Sequence, residues 1–490
     1  MAHIVRRALF RLDAGRAIGL GHGLRCLALA DELAARGWTC RFALNPGAAA
    51  LLAAVAPFAH DSIEDEGFAD PERLAKRAGE DWDLLVVDSY RLDAAFESRG
   101  RKLAKAVLVV DDLADRPHDA DLLVDATAGR ASADYAGLIP SAARVLVGPQ
   151  HALLSSRFAR ARAETIPRRL APKPAQTILV TLGGAPPSAL LARLAGAARA
   201  AAPDAAIEVA AGVSDLADLG DPRARIHRGQ IDMAALTAAA DLCVGAGGGS
   251  SWERCCLGLP AVIVEIADNQ RGIIDALAAA GAAIAAGRLE DLDDRALIAA
   301  IAAAAGDGRE LARMAGNAAL LCDGLGARRV ANAAEALLDE TAPRVTLRPA
   351  SAADSDTMLA WQQTPGVRRF AKTPRAPERA EHEAWLTRRL GDPLAGPFEI
   401  IEADGAPAGV LRFDRTDGSG ETYRVSILVA PERQGQGVAA RALAAGGRLL
   451  AEATLEAEVL EANAASHRLF GRAGYRRVGP EAYRRDPLFT

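Results

Sequence analysis

Apolar positions in the first part of the chain fall in short unbroken runs, separated by stretches of helical spacing. The runs end at "RRALFRLD", "TCRFAL", "WDLLVVDSY", "KAVLVVDDL", "ADLLVDAT" and "ARVLVGP". Continuous β-branched runs of this length mark parallel strands buried on both faces. Leu24, Leu27, Ala30 and Leu33 form one stripe of a helix between the first two runs. The pattern predicts an open parallel α/β sheet over residues 1–155. The polar, proline-containing stretch "RARAETIPRRLAPKPAQ" then reads as a helix running into a linker. Alternation restarts with "TILVTLGG", "AIEVAAG", "ARIHRG", "ADLCVGAGGG", "PAVIVEIAD" and "AAIAAG", predicting a second such domain over 174–340. The pattern changes at "ETAPRVTLRPAS". Two helical segments follow, then a hairpin, "FEIIEADGAPAGVLRF", turning at Asp404-Gly405, and further strand–helix pairs. These predict an α+β domain over 344–490.

Composition narrows the function classes. A chain of 490 residues suggests about three domains of roughly 150 residues. The formal net charge of −5, with both signs mixed, excludes the basic stripe of a nucleic-acid binder and a polybasic membrane anchor. "MAHIVRRALF" lacks the apolar core of a signal peptide, and no apolar run approaches the roughly 18 residues of a membrane span. A cytoplasmic protein without membrane contact is expected. The six cysteines form no CxxC pair, so reduced buried thiols are expected, with no zinc site. The sequence leaves the oligomeric state open.

The first chemical signal is "GLGHGL", where the first strand gives way to its helix. Glycines here let backbone approach a ligand, and a helix start offers unpaired amides and positive potential. The stretch departs from the dinucleotide fingerprint, because Leu24 stands where the last glycine belongs. It also lacks the Lys-Ser/Thr of a phosphate-binding P-loop. His22 is the anomaly. It is either a capping ring or a general base, and an electropositive helix start suits an uncharged ring in the second role. Asp13, Asp88, Asp111 and Asp112 all fall at strand ends on the same carboxyl edge, where one of them can orient the ring.

The second signal is "ADLCVGAGGGSSWERCC". A buried strand runs into Gly248 and Gly249, then Ser250 and Ser251 lead a helix with Glu253 in its first turn. Amides and hydroxyls here suit a diphosphate, and Glu253 suits the two ribose hydroxyls. Gly183 and Gly184, after the first strand of this domain, aim at the same cleft. Two Rossmann-like units with these turns resemble nucleotide-sugar glycosyltransferases of type B architecture.

"LFRLDAGRAIGLGHGLRCLALADEL" further resembles the opening of the UDP-sugar hydrolases of the pseudaminic acid pathway, through Arg11, Asp13, Gly19, Gly21, His22 and Arg25. "DDLADRPHDADLLVD", "DYAGLIP" and Asn269-Gln270 continue the likeness over about 340 residues. The resemblance implies hydrolysis of UDP-2,4-diacetamido-2,4,6-trideoxy-β-L-altropyranose to UDP and free sugar. His22 would activate the attacking water, with inversion and without a metal. Arg11, Asp13, Gly21, Arg25, Gly183, Gly184, Gly248, Gly249, Ser250, Ser251, Glu253 and Asn269 would bind the substrate.

The third signal is "ILVAPERQGQGVAARALAAGG", a strand, a glycine turn and a helix. It resembles the pyrophosphate loop of the GNAT N-acetyltransferases, with "LEAEVLEANAASHRLFGRAGY" as their next strand and helix. The resemblance assigns Arg433, Gln434, Gly435, Gln436, Gly437, Val438, Ala439 and Asn463 to acetyl-CoA, the co-substrate. Trp361, His382 and Trp385 would border the acceptor site. Phe470 replaces the tyrosine that relatives use as general acid, and "WQQ" replaces their "WRN". The implied acceptor is the 4-amino group of a UDP-linked amino sugar, which makes the chain bifunctional. The competing reading is a glycosyltransferase with a regulatory acetyl-CoA-binding domain. The expected fold is α/β, two Rossmann-like domains of glycosyltransferase type B followed by an α+β GNAT domain.

Overall fold

The computed structural model describes residues 5–16, 18–216, 218–417 and 420–488. The chain forms two compact units, residues 1–331 and 332–490.

The first unit holds two parallel sheets. The first comprises β1 (Arg7–Leu12), β2 (Thr39–Leu44), β3 (Asp61–Glu64), β4 (Trp82–Asp88), β5 (Ala104–Val110), β6 (Leu122–Asp125) and β7 (Arg144–Val147), in the order β3-β2-β1-β4-β5-β6-β7. All but β3 are the runs that the apolar pattern predicts; β3, a short edge strand reading Asp-Ser-Ile-Glu, has no apolar run to mark it. β4 is buried at every position, as a strand covered on both faces must be. The order reverses between β1 and β4, where Leu12 lies beside Asp88. At such a reversal the connections leave in opposite directions and open a crevice at the carboxyl ends of the strands.

After the helix Ser156–Arg169, the second sheet repeats the arrangement. It comprises β8 (Thr177–Thr181), β9 (Ala206–Gly212), β10 (Ala224–Arg228), β11 (Leu242–Ala246), β12 (Ala261–Glu265) and β13 (Ala283–Arg288), ordered β10-β9-β8-β11-β12-β13. Its reversal falls between β8 and β11, which end in the two predicted glycine turns.

The second unit is α+β. Its sheet comprises β14 (Val345–Pro349), β15 (Phe398–Ala403), β16 (Ala406–Arg415), β17 (Thr422–Val429), β18 (Thr454–Glu458), β19 (Arg476–Arg477) and β20 (Ala482–Arg485). The order is β14-β15-β16-β17-β18-β20-β19, antiparallel except for β17 with β18. Asp404 and Gly405 both take positive φ, at 53° and 80°, which is the hairpin turn read from the sequence. The α/β fold class expected from the sequence is the observed one.

Backbone contact explains one glycine at the second reversal. A Cβ at Gly245 would lie 2.4 Å from the Thr181 carbonyl oxygen on the neighbouring strand. Gly245→Ala is therefore expected to cost about 1–3 kcal/mol, as overpacking does. A lowered thermal unfolding temperature of the full-length protein checks this.

Candidate active sites

At the first reversal, the helix Gly21–Ala35 starts without a side-chain cap, so its first amides remain available. Gly23 lets this helix seat closely, since a Cβ there would meet Leu52 Cδ2 at 2.3 Å. His22 is buried, and its Nδ1 lies 2.6 Å from Asp88 Oδ1. Arg25, one turn on, grips the same carboxylate through Nε to Oδ2 and Nη2 to Oδ1, both at 2.6 Å. A carboxylate only accepts, so the ring donates its Nδ1–H to Asp88. Nε2 is then left as the basic nitrogen, and none of the described residues hydrogen-bonds it.

Asp88 is fully buried, which by itself would push its pKa up. The charges of Arg25 and His22, with their hydrogen bonds, outweigh that and hold it well below the usual carboxylate range. Arg25 also reaches Asp112 at 3.1 Å. Tyr90 packs edge-on against His22, with ring centroids 4.7 Å apart, and donates its hydroxyl to Asp112 at 3.1 Å. The Asn269 side chain, from the second sheet's half, also hydrogen-bonds that hydroxyl.

Arg11 and Asp13 lie deeper. Arg11 is buried and spends its guanidinium on the Phe68 and Leu12 carbonyls and on Asp13. Asp13 also receives Ser89 and pairs with Arg91. Both sit beside the crevice, bound up in protein contacts. Gly21 opens the helix on the exposed side.

The second sheet's turns face this crevice. A Cβ at Gly184 would meet Leu20 Cδ1 at 3.0 Å, and Arg16 donates to the Val213 carbonyl at 3.2 Å, so the two halves meet beside the His22 loop. Gly183 takes φ of 98°, a conformation that glycine tolerates best. After β11, Gln270 Oε1 accepts from the Gly247 amide at 3.3 Å and from the Ile266 amide at 3.2 Å, pinning the turn that carries Gly248 and Gly249.

The serines depart from the expectation of outward hydroxyls. Ser251 is fully buried, and Arg254 donates to both Ser251 and Ser250, at 2.8 and 3.3 Å. Their helix, Ser250–Cys256, places residues three and four apart on one face, which turns Ser251 toward Arg254. Glu253 is half-buried. Burial pushes its carboxyl up to about 7, against the attraction of Arg254.

In the second unit, β17 and β18 pair only at Thr422–Thr454, Tyr423–Leu455 and Arg424–Glu456, then diverge. The edge of β17 from Val425 to Val429 thus offers unladdered backbone groups to an extended ligand. The turn beyond it holds Gly435 and Gly437 at φ of 76° and 80° and opens the helix Val438–Leu449. Its first amides, from Val438 and Ala439, suit a pyrophosphate. Gln434 donates to the Val429 carbonyl and Gln436 to the Glu432 carbonyl, which shapes the turn, and Arg433 stands at its entry. Asn463 caps the helix Ala464–Arg472, accepting from the Ser466 amide.

Phe470 is buried, with ring centroids 5.1 Å from Tyr475 and 5.9 Å from Tyr483. The Tyr475 hydroxyl is buried without a partner. His382 and Trp361 are also buried. Nε2 of His382 is 3.1 Å from the Ser355 carbonyl, and its ring lies 6.0 Å from that of Trp385.

Sequence reasoning did not single out Tyr90 or give Gln270 and Gly23 their roles. Tyr90 stands two residues past a buried strand that ends in an acid, the one signal that places it on the carboxyl edge.

Residues 344–476 match the family model "Acetyltransferase (GNAT) domain", so the chain carries a C-terminal GNAT acetyltransferase domain. Over 152 residues the chain is 28% identical to the UDP-2,4-diacetamido-2,4,6-trideoxy-β-L-altropyranose hydrolase of Campylobacter jejuni, covering 31% of this chain. The match spans 53% of that relative, about half its length. Among solved structures, MurG of Acinetobacter baumannii aligns over 67% of this chain and 99% of its own, with 16% identity and a TM-score of 0.48. The RimL ribosomal L7/L12 α-N-protein acetyltransferase, solved with coenzyme A, aligns over 31% of this chain and 98% of its own, with 15% identity and a TM-score of 0.27. No helix among the described residues is long and apolar enough to cross a membrane.

The raised carboxyl of Glu253 makes a prediction with a definite sign. Between its ordinary value of 4.5 and about 7, the folded state keeps a proton that the unfolded state releases. Stability therefore falls as pH rises through that window. Glu253→Gln should match the wild type below pH 4.5 and melt at a higher temperature at pH 8, read from paired thermal melts.

Proposed function

We propose that the chain is a bifunctional enzyme with three domains, bounded as the sequence reading places them. The first two hydrolyse a UDP-linked diacetamido-trideoxy sugar, UDP-2,4-diacetamido-2,4,6-trideoxy-β-L-altropyranose, and the third acetylates its UDP-amino-sugar precursor. The observation that carries the first half is the imidazole clamped through Nδ1 to a buried, ionised Asp88, with Nε2 left without a hydrogen bond from the described residues.

In the reaction, Nε2 of His22 takes a proton from water. The resulting nucleophile attacks the anomeric carbon on the face opposite the nucleotide. The glycosidic C–O bond breaks, and UDP leaves with the bonding electron pair. The anomeric centre inverts, and Asp88 stabilises the imidazolium that forms without itself being protonated. Gly183, Gly184, Gly248 and Gly249 would present amides to the diphosphate, whose developing charge they stabilise as it departs. Gly21, Asn269 and Glu253 would bind the sugar and ribose. Arg11 and Asp13 would support that wall of the site from behind.

For the second half, the diverging β17 and β18 and the glycine turn fit acetyl-CoA. That co-substrate would supply the acetyl group. The Val425–Val429 edge would pair with its pantetheine arm, and Gly435 to Ala439, with Arg433, would hold its pyrophosphate. Asn463 retains its amide donors for the arm, because only its oxygen serves the helix cap.

Two experiments test this. Incubated with the UDP-diacetamido sugar alone, the full chain should release UDP and free sugar, followed by NMR. His22→Ala should abolish release, and Asp88→Asn should lower kcat by about 10²–10⁴, because an amide can donate to Nδ1 and invert the tautomer. UDP release that requires an added acceptor would instead identify a glycosyltransferase. Separately, thiol release from acetyl-CoA should depend on the UDP-4-amino sugar. Gly437→Ala should raise the KM for acetyl-CoA, since a side chain at φ of 80° is strained. Acetyl-CoA binding with no acetylated product would leave that domain a binding module.

A further inference from the structure

Arg25 presents a problem of hydrogen-bond parity. Its Nη2 lies 2.6 Å from Asp88 Oδ1 and also 3.1 Å from His22 Nδ1. While Asp88 accepts from the ring, Nδ1 bears hydrogen and cannot accept from Arg25. If the guanidinium slipped from the carboxylate, it would become the natural donor to Nδ1, and the ring proton would move to Nε2. In that tautomer Nε2 donates and cannot act as a base. The position of one guanidinium thus decides which nitrogen is basic.

A second hold fixes that position. Arg25 Nη1 meets Asp112 Oδ2 at 3.1 Å, while Nε and Nη2 take Asp88 in a two-point grip. Asp112 Oδ2 in turn receives the Tyr90 hydroxyl at 3.1 Å, and Arg130 donates to the Asp112 main-chain carbonyl at 3.1 Å. Other groups facing the cluster are Cys26, whose Sγ is 3.5 Å from Asp88 Oδ2, and the His22 ring itself. Each nitrogen of Arg25 faces a carboxylate of the protein, so the planar fork is used up within the chain.

We propose that Arg25 is a positioning residue and not a substrate ligand: tied to Asp112, it holds Asp88 so that His22 keeps its Nδ1–H, Nε2-basic form. This refines the role given to Arg25 by the sequence resemblance, and its kinetic part rests on the hydrolase reading above. Asp112 has the same standing, acting through Arg25.

The test uses the full chain carrying ¹⁵N-labelled histidine, with the His22 signal identified by its loss in His22→Ala. Without substrate, the wild type should show a hydrogen-bearing Nδ1 and a bare Nε2. Arg25→Lys keeps the charge but loses the fork, and Asp112→Asn loses the second hold. Both should show mixed tautomers at His22. With the UDP-sugar, both should lower kcat more than about tenfold, leave KM within about twofold and shift the pH profile of kcat. Unchanged His22 signals in the folded variants would overturn the proposal, as would a raised KM at unchanged kcat. If Arg25→Lys does not fold, Asp112→Asn carries the same test. Should the wild type release no UDP while the variants scramble the tautomer, the positioning chain stands and the hydrolase reading falls.

Discussion

The first unit is organised around a carboxylate that burial alone would neutralise. Asp88 ends a strand buried at every position, and a lone charge there would be too costly to keep. Arg25 and His22 reverse that balance from the first turns of a neighbouring helix. The pairing therefore does two jobs. It joins β4 to the helix after β1 at the sheet's reversal, and it orders an imidazole. Removing one partner of a buried pair costs about 3–5 kcal/mol when the other is left charged and alone; Asp88, held by two, would keep the second. Stability and chemistry thus share one interaction, and a change that harms one harms the other.

The two sheets of this unit meet the same topological situation by different means. Each opens a crevice where its strand order reverses. In the first, side chains fill the edge: His22, Asp88, Tyr90 and Asp112 are linked by short polar contacts. In the second, the edge is largely bare backbone. Gln270 supplies its carbonyl to the turn from behind, and Arg254 draws the serines inward. A charged, moving proton needs side chains that titrate. A diphosphate needs donors that stay fixed in charge, which backbone amides do at any pH.

Much of this was legible in the sequence. The apolar runs that predict parallel strands are the observed β1, β2, β4, β5, β6 and β7, and the glycine turns fall where each sheet reverses. His22 stands out because its loop otherwise reads as a phosphate cradle. The choice among Asp13, Asp88, Asp111 and Asp112 was not legible, because all four end strands on one edge. Strand order separates Asp88 from Asp111 and Asp112, since β4 lies beside β1 while β5 is one place further, and periodicity carries no strand order; Asp13 is taken by Arg11 and Arg91. Asp111 instead serves its own loop, accepting from the Ala114 amide at 2.8 Å and from Tyr135 at 2.9 Å. The inward turn of Ser251 was legible in principle. It stands three residues before Arg254, on the same helical face.

The second unit shows where a pattern and its chemistry part company. Its backbone carries the features that suit a thioester-bearing ligand: two parallel strands that separate after three paired positions, and a glycine turn opening a helix. These depend on register and φ, which many side chains permit. Phe470, where the resemblance implies a tyrosine acid, has no hydroxyl. Its ring packs into a cluster with Tyr475 and Tyr483, and the Tyr483 hydroxyl lies 2.9 Å from His467 Nδ1. The ring at this position serves packing. In acyl transfer the amine would attack as the free base, and the departing thiolate would take the proton that the nitrogen sheds, or one from solvent. The backbone groups that suit the ligand do not titrate, so its binding would not depend on that proton.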